Sequence, residues 1–89
     1  MLLIKRTSKF KSDYKRANKQ NCDVSKLKKI IVLLSNKVTL DKKYKDHSLS
    51  GKLHKYRDCH IEPDWILIYE ITDNELNLLR LGSHAELFK

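Results

Sequence analysis

Residues 65–81 restrict the fold of this chain more than any other segment. Trp65-Ile66-Leu67-Ile68-Tyr69-Glu70-Ile71 is rich in β-branched and aromatic side chains, which favour extended backbone. Thr72-Asp73-Asn74 follows, and Asp and Asn tolerate the tight geometry of a turn. Leu76 to Leu81 then returns as a second strand. The alternating stretch Tyr56–Ile61 adds a strand ahead of this hairpin, and Leu2-Leu3-Ile4 reads as a short strand at the start.

Two helices account for the space between. Thr7 or Ser8 can cap the first, because a hydroxyl satisfies an orphan backbone N–H there, and Phe10, Tyr14 and Ala17 recur at helical spacing. Asn18 to Cys22 breaks the pattern, and Asp23 caps a second helix. Its apolar face is Val24, Leu27, Ile31, Leu34 and Val38, widened by Ile30. Thr39 to Leu53 reads mostly as loop, and His84 to Lys89 as a short tail. The expected order is β-α-α-β-β-β: an α+β domain spanning 1–89, with two helices on one face of a mostly antiparallel four-stranded sheet. At 89 residues there is room for one modest core, and two glycines with one proline argue against a disordered or linker-rich chain.

Charge is divided unevenly. Residues 1–45 hold 14 Lys and Arg against 3 Asp, a net of +11, whereas residues 46–89 hold 5 against 8 acids, a net of −3. At a pI near 9.6 the basic half reads as a footprint for nucleic acid or an acidic partner rather than mere solvation of helix faces. No apolar stretch approaches the roughly 20 residues of a membrane span, and Met-Leu-Leu-Ile ahead of Lys5-Arg6 is too short for a signal sequence. Cys22 and Cys59 have no CxxC partner and are expected as free thiols in a reducing cytoplasm.

All four histidines lie in the acidic half. His54 is expected to be a surface or packing residue. His47, His60 and His84 accompany Asp64 and Arg80, the types needed to cleave RNA without a metal. A base takes the proton of the 2′-hydroxyl, an acid protonates the leaving 5′-oxygen, and a cation meets the charge gathering on phosphorus. A short antiparallel sheet brings His60, Asp64, Arg80 and His84 towards one edge, with His47 on a loop folding over it. Trp65 suits substrate stacking and core packing equally, Phe88 could stack or anchor the C-terminus, and Arg57 could pair with an acid inside the sheet. Zinc held by Cys59, His60, Asp64 and His84 is the chemical competitor. Adjacent Cys59 and His60 point to opposite faces of a strand, which disfavours a shared ion.

The segments Asp46-His47-Ser48-Leu49-Ser50-Gly51, Tyr56-Arg57-Asp58-Cys59-His60-Ile61-Glu62-Pro63-Asp64-Trp65-Ile66-Leu67-Ile68-Tyr69 and Arg80-Leu81-Gly82-Ser83-His84-Ala85-Glu86-Leu87-Phe88 resemble the YafQ branch of the RelE/ParE toxin superfamily. Residues 1–45 agree more loosely, in element order and basic character. The resemblance implies a toxin of a type II toxin–antitoxin module, with two helices on an antiparallel sheet as in small microbial ribonucleases. It implies cleavage of mRNA, most often in the ribosomal A site, with no cofactor and no metal. It also implies a cognate antitoxin whose complex with the toxin binds operator DNA, and a monomeric free toxin in the cytoplasm. Active-site positions carry over to His47, His60, Asp64, His84 and Phe88, with Asp58, Trp65 and Arg80 in support. His84 and Asp64 are expected to lead proton transfer, and His47 and His60 to orient or neutralise phosphate. Lys9, Lys11, Lys15, Lys26 and Lys28 are expected to dock on ribosomal RNA. Two rivals stay open: a ParE-like toxin acting on gyrase, and a basic RNA-binding module without catalysis.

Overall fold

A computed structural model describes residues 1–51 and 55–88. His54, read above as a surface residue, lies outside the described residues, as do positions 52, 53 and 89. The elements are β1 (Leu3–Arg6), α1 (Ser8–Lys19), α2 (Val24–Ser35), a 3-10 turn (Lys42–Tyr44), β2 (His47–Ser48), β3 (Arg57–Glu62), β4 (Trp65–Ile71), β5 (Glu75–Gly82) and α3 (His84–Leu87).

The α+β class and the succession of β3, β4 and β5 follow the sequence reading, but the sheet differs in size and direction. Among the described residues it has five strands in the order β1-β5-β4-β3-β2, and β1 runs parallel to β5 while the other pairs are antiparallel. The expected four-stranded sheet lacked β2, because two residues carry no periodicity. A third helix also replaces part of the expected tail.

Both helix starts match their caps. The Thr7 hydroxyl accepts from the Phe10 amide, and the Asp23 carboxylate from the Ser25 amide. The helix ends show why the second apolar face stops short of Val38. Lys37 takes a left-handed φ of 59°, its N–H donates to the Leu34 carbonyl, and the Val38 N–H donates to that of Leu33. This pair of reverse bonds satisfies the last carbonyls and turns the chain away. Val38 is therefore exposed, and Leu27, Ile30 and Leu34 form the buried stripe. Asn21 ends α1 in the same way, with φ 59° and a Cys22 N–H bond to Ala17.

The core lies between the helices and one sheet face. Phe10 and Ala17 from α1 and the α2 stripe join Cys59, Ile61, Leu67, Tyr69, Leu76, Leu78 and Leu81 in one buried cluster. Trp65 is in that cluster too, which decides between its two readings in favour of core. Ile66 and Ile68 alternate to the opposite face and are also buried. That opposite face carries Asp58 and His60, which pair across the strands with Ile68 and Ile66, and Arg80, which pairs with Ile68 from the other side.

β1 is half the length of β5, so the second half of the β5 edge needs other partners. α1 supplies them. The Thr7 hydroxyl donates to the Leu79 carbonyl at 2.8 Å, Arg16 Nη2 to that of Leu81 at 3.2 Å, and the Leu81 N–H donates to Asp13 Oδ2 at 3.0 Å. Asp13 is almost fully buried, and Arg80 Nε donates to the same oxygen at 2.8 Å. Burial works to raise the Asp13 pKa, but the Arg80 and Leu81 hydrogen bonds and the Arg80 and Arg16 charges hold it below its ordinary value.

Candidate active site

Two turns bring the proton-transfer groups together. β3 and β4 are joined tightly through Pro63 and Asp64, and a bulge leaves Ile61 without a partner between the His60–Ile66 and Glu62–Trp65 pairs. Because Ile66 pairs with Gly82, the chain leaving β5 emerges beside that turn. There Ser83 opens α3 with a capping box: its hydroxyl accepts from the Glu86 amide, and the Glu86 carboxylate accepts from the Ser83 amide at 2.8 Å. His84 is thus fixed in the first turn of α3. The Ser83-His84-Ala85-Glu86 spacing is the signal that could have revealed this helix from sequence.

Asp64 Oδ1 accepts twice from one residue, from the His84 backbone N–H at 3.0 Å and across 3.2 Å from its Nδ1. The backbone bond first, then the side-chain bond, lowers the Asp64 pKa below its ordinary value. Both side chains remain open to solvent, at 59% exposure for His84 and 70% for Asp64. The His60 and His84 ring centroids are 5.5 Å apart, and Phe88, 45% exposed, sits 5.9 Å from His84 on a centroid basis. His60 Nδ1 is turned towards the Pro63 carbonyl at 3.3 Å.

His47 reaches the same face from β2 rather than from a free loop. It pairs with Asp58 across the strands, its Nδ1 lies 2.6 Å from the Lys45 carbonyl, and its Nε2 is 3.3 Å from Asp58 Oδ1. Asp58 is buried, and among the described residues this oxygen is the buried side-chain atom without a hydrogen bond. The His47 contact is close enough for an ion pair but poorly aligned for a hydrogen bond. Burial raises the Asp58 pKa, opposed by the positive charge His47, His60 and His84 can each carry. One buried carboxylate therefore lies within electrostatic reach of all three imidazoles.

The remaining expected residues are placed less directly. Two guanidinium nitrogens of Arg80 bind Asp13, which leaves Nη1 without a hydrogen bond among the described residues. Arg57 does pair with an acid, but with Asp46 just ahead of β2, at 3.3 Å, and Asp46 also accepts from the Tyr69 hydroxyl. Asp13 lies in no motif, and Asp46 opens the first resembling segment but has no role assigned from sequence. Cys59 is fully buried on the core side and cannot face His60, and burial pushes its thiol up to about 12. No group of three His, Cys, Asp or Glu among the described residues is arranged to hold a metal ion. No helix among them is long and apolar enough to cross a membrane.

The lysines expected to act as one docking surface are divided. Lys11, Lys15 and Lys28 rim a groove of about 550 Å³ whose walls include Phe10, Leu27 and Ile31. Lys26 lies in a different groove and forms an ion pair with Glu62 at 2.9 Å. Lys9 lines a third recess beside Asp13 and Arg80.

Known proteins share this arrangement of chain. A family model described as bacterial toxin of type II toxin–antitoxin system, YafQ, matches residues 2–89. The mRNA interferase toxin YafQ of Escherichia coli strain K12 is 46% identical over 86 residues, covering 96% of this chain and 94% of that protein. The toxin in the E. coli DinJ–YafQ toxin–antitoxin complex superposes with a TM-score of 0.93 at 45% identity, covering 99% of this chain and 98% of that one. A copper-bound mutant toxin from Helicobacter pylori superposes with a TM-score of 0.95 at 43% identity, covering 99% and 100%.

Proposed function

Because this chain belongs to the YafQ family of bacterial type II toxin–antitoxin toxins, we propose that it is an mRNA endoribonuclease built on the His47–Asp58–His60–Asp64–His84 face. The observation that carries the reading is the solvent-open pairing of His84 with Asp64, beside a second imidazole 5.5 Å away. With Nδ1 turned to Asp64, His84 keeps Nε2 for the substrate, so its tautomer and orientation are set before RNA arrives.

The reaction is transfer within the RNA. One group of the His84–Asp64 pair and its neighbours removes the proton of the 2′-hydroxyl, whose oxygen attacks the adjacent phosphorus. The bond to the 5′-oxygen breaks, and a second group protonates that oxygen. His47 and His60 face the phosphate oxygens, with the buried Asp58 carboxylate close behind them. Arg80 presents Nη1 while Asp13 holds the rest of its guanidinium still. Phe88 stacks against a base beside His84. Trp65 acts only by packing beneath this face.

The substrate is mRNA in the ribosomal A site, the place of action is the cytoplasm, and the basic α1 and α2 surfaces rest on ribosomal RNA. A DinJ-like antitoxin binds the otherwise monomeric chain, and their complex binds operator DNA. A gyrase-directed toxin has no use for a paired His and Asp on an open face, which favours the nuclease.

Expression in growing cells, with mapping of mRNA 5′ ends, tests this reading. Growth arrest is expected, with new ends inside coding regions and in register with codons. Growth arrest with intact mRNA and inhibited gyrase would replace the nuclease with the rival toxin.

A further inference from the structure

A basic groove continues from the histidine face onto α2 and the 3-10 turn. It has a volume of about 520 Å³, and its lining includes Lys26, Lys29, Lys43, Lys45, Tyr44 and His60. Lys26 and Lys29 are three residues apart, hence on one side of α2. Asp41 caps the turn by accepting from the Lys43 amide, and Lys45 closes it in a left-handed conformation with φ 48°. Tyr44 anchors the turn by packing on the core. The turn is therefore a fixed mount, and the Lys45 carbonyl that faces His47 Nδ1 ties it to the reactive face. Glu62 is the groove's acid and is engaged by Lys26 at 2.9 Å, while Lys29, Lys43 and Lys45 make no ion pair with described residues.

We propose that this groove is a backbone subsite that holds the phosphates of single-stranded RNA flanking the cleaved bond. The inference rests on the nuclease reading for the identity of the strand. A cationic channel that begins at His60, with three lysines making no ion pair with described residues, matches the continuation of a polyanion whose scissile phosphate lies at His60 and His84. Its lining has lysines rather than base-reading amides, so it binds without regard to sequence. The ammonium groups act on the phosphates as point charges, so binding there is coupled to counterion release and weakens with salt.

Binding of a labelled, fully 2′-O-methylated RNA oligonucleotide to the full chain, read by fluorescence anisotropy over a salt series, tests the subsite without cleavage. Lys29→Gln/Lys43→Gln removes, from exposed positions, two cations that make no ion pair with described residues. It is expected to weaken binding about tenfold at low salt and to reduce the log–log salt slope by about 1.4, at roughly 0.7 per phosphate contact on a single strand. Lys19→Gln/Lys37→Gln loses the same charge outside the groove and is expected to keep the wild-type slope. An unchanged slope in the groove variant, an equal loss in the second variant, or no binding by wild type would overturn the subsite. A separate cleavage assay on ribosome-bound mRNA distinguishes the two ideas. Wild type that binds with the expected slopes but cuts nothing would overturn the nuclease and not the groove.

Discussion

His84→Ala is expected to lower the rate of mRNA cleavage by about 10²-fold or more while leaving the thermal unfolding curve almost unchanged, because one positioned proton-transfer group contributes about 10²–10⁴-fold. Stability should survive because the His84 side chain is 59% exposed and the α3 capping box is made by Ser83 and Glu86. The His84 backbone N–H still donates to Asp64 in the variant, so the turn keeps that tie. Single-turnover cleavage with circular dichroism of the same preparation separates chemistry from folding. Cleavage within a few-fold of wild type would remove His84 from the reaction.

The second large effect concerns folding. Asp13→Ala is expected to cost about 2–3 kcal/mol and to lower Tm by roughly 10–20 °C in a domain of this size. The carboxylate is buried, accepts hydrogen bonds from Arg80 Nε at 2.8 Å, Arg80 Nη2 at 3.4 Å and the Leu81 amide at 3.0 Å, and forms an ion pair with Arg16 Nη2 at 3.2 Å. Removing one member of a fully buried pair can cost about 3–5 kcal/mol. Arg16 and Arg80 are 37% and 31% exposed and can turn to water, which reduces the figure. The Leu81 amide cannot turn, and it carries much of the remaining loss.

The effect should depend on pH in one direction. The folded Asp13 pKa lies below its ordinary value, so its contribution is complete above the unfolded carboxylate pKa of about 3.9. That contribution is lost as pH falls through the lower folded value. Urea unfolding of wild type and Asp13→Ala should give a gap at pH 7 that narrows below pH of about 4. A gap below about 1 kcal/mol at pH 7, or one that widens in acid, would show that the α1–β5 tie is not held by this carboxylate.

Local signals made much of this fold legible in the sequence. Thr7 and Asp23 cap helices where their side chains allow it, and the Thr72–Asn74 turn separates β4 from β5. What was hidden depends on contacts distant along the chain. The parallel pairing of β1 with β5 joins Leu3 to Glu75, and nothing in a four-residue strand announces a partner that far away. The same holds for Asp13, the lone acid of a basic helix, which looks solvated until α1 is laid along the β5 edge. The site was legible as a set of residue types but not as a geometry. His84 and Asp64 are twenty residues apart and meet because Ile66 pairs with Gly82. His47 was expected on a loop and is instead held by strand pairing, opposite Asp58.

The central claim is that this face makes the RNA cut itself through its own 2′-hydroxyl. The most direct measurement uses mRNA with a single 2′-deoxy nucleotide at the mapped cleavage position, bound to ribosomes and incubated with wild-type protein. Cleavage is expected to vanish at that position, while the unmodified mRNA yields a 2′,3′-cyclic phosphate end. Undiminished cleavage of the 2′-deoxy mRNA would contradict the account, because water would then be the nucleophile.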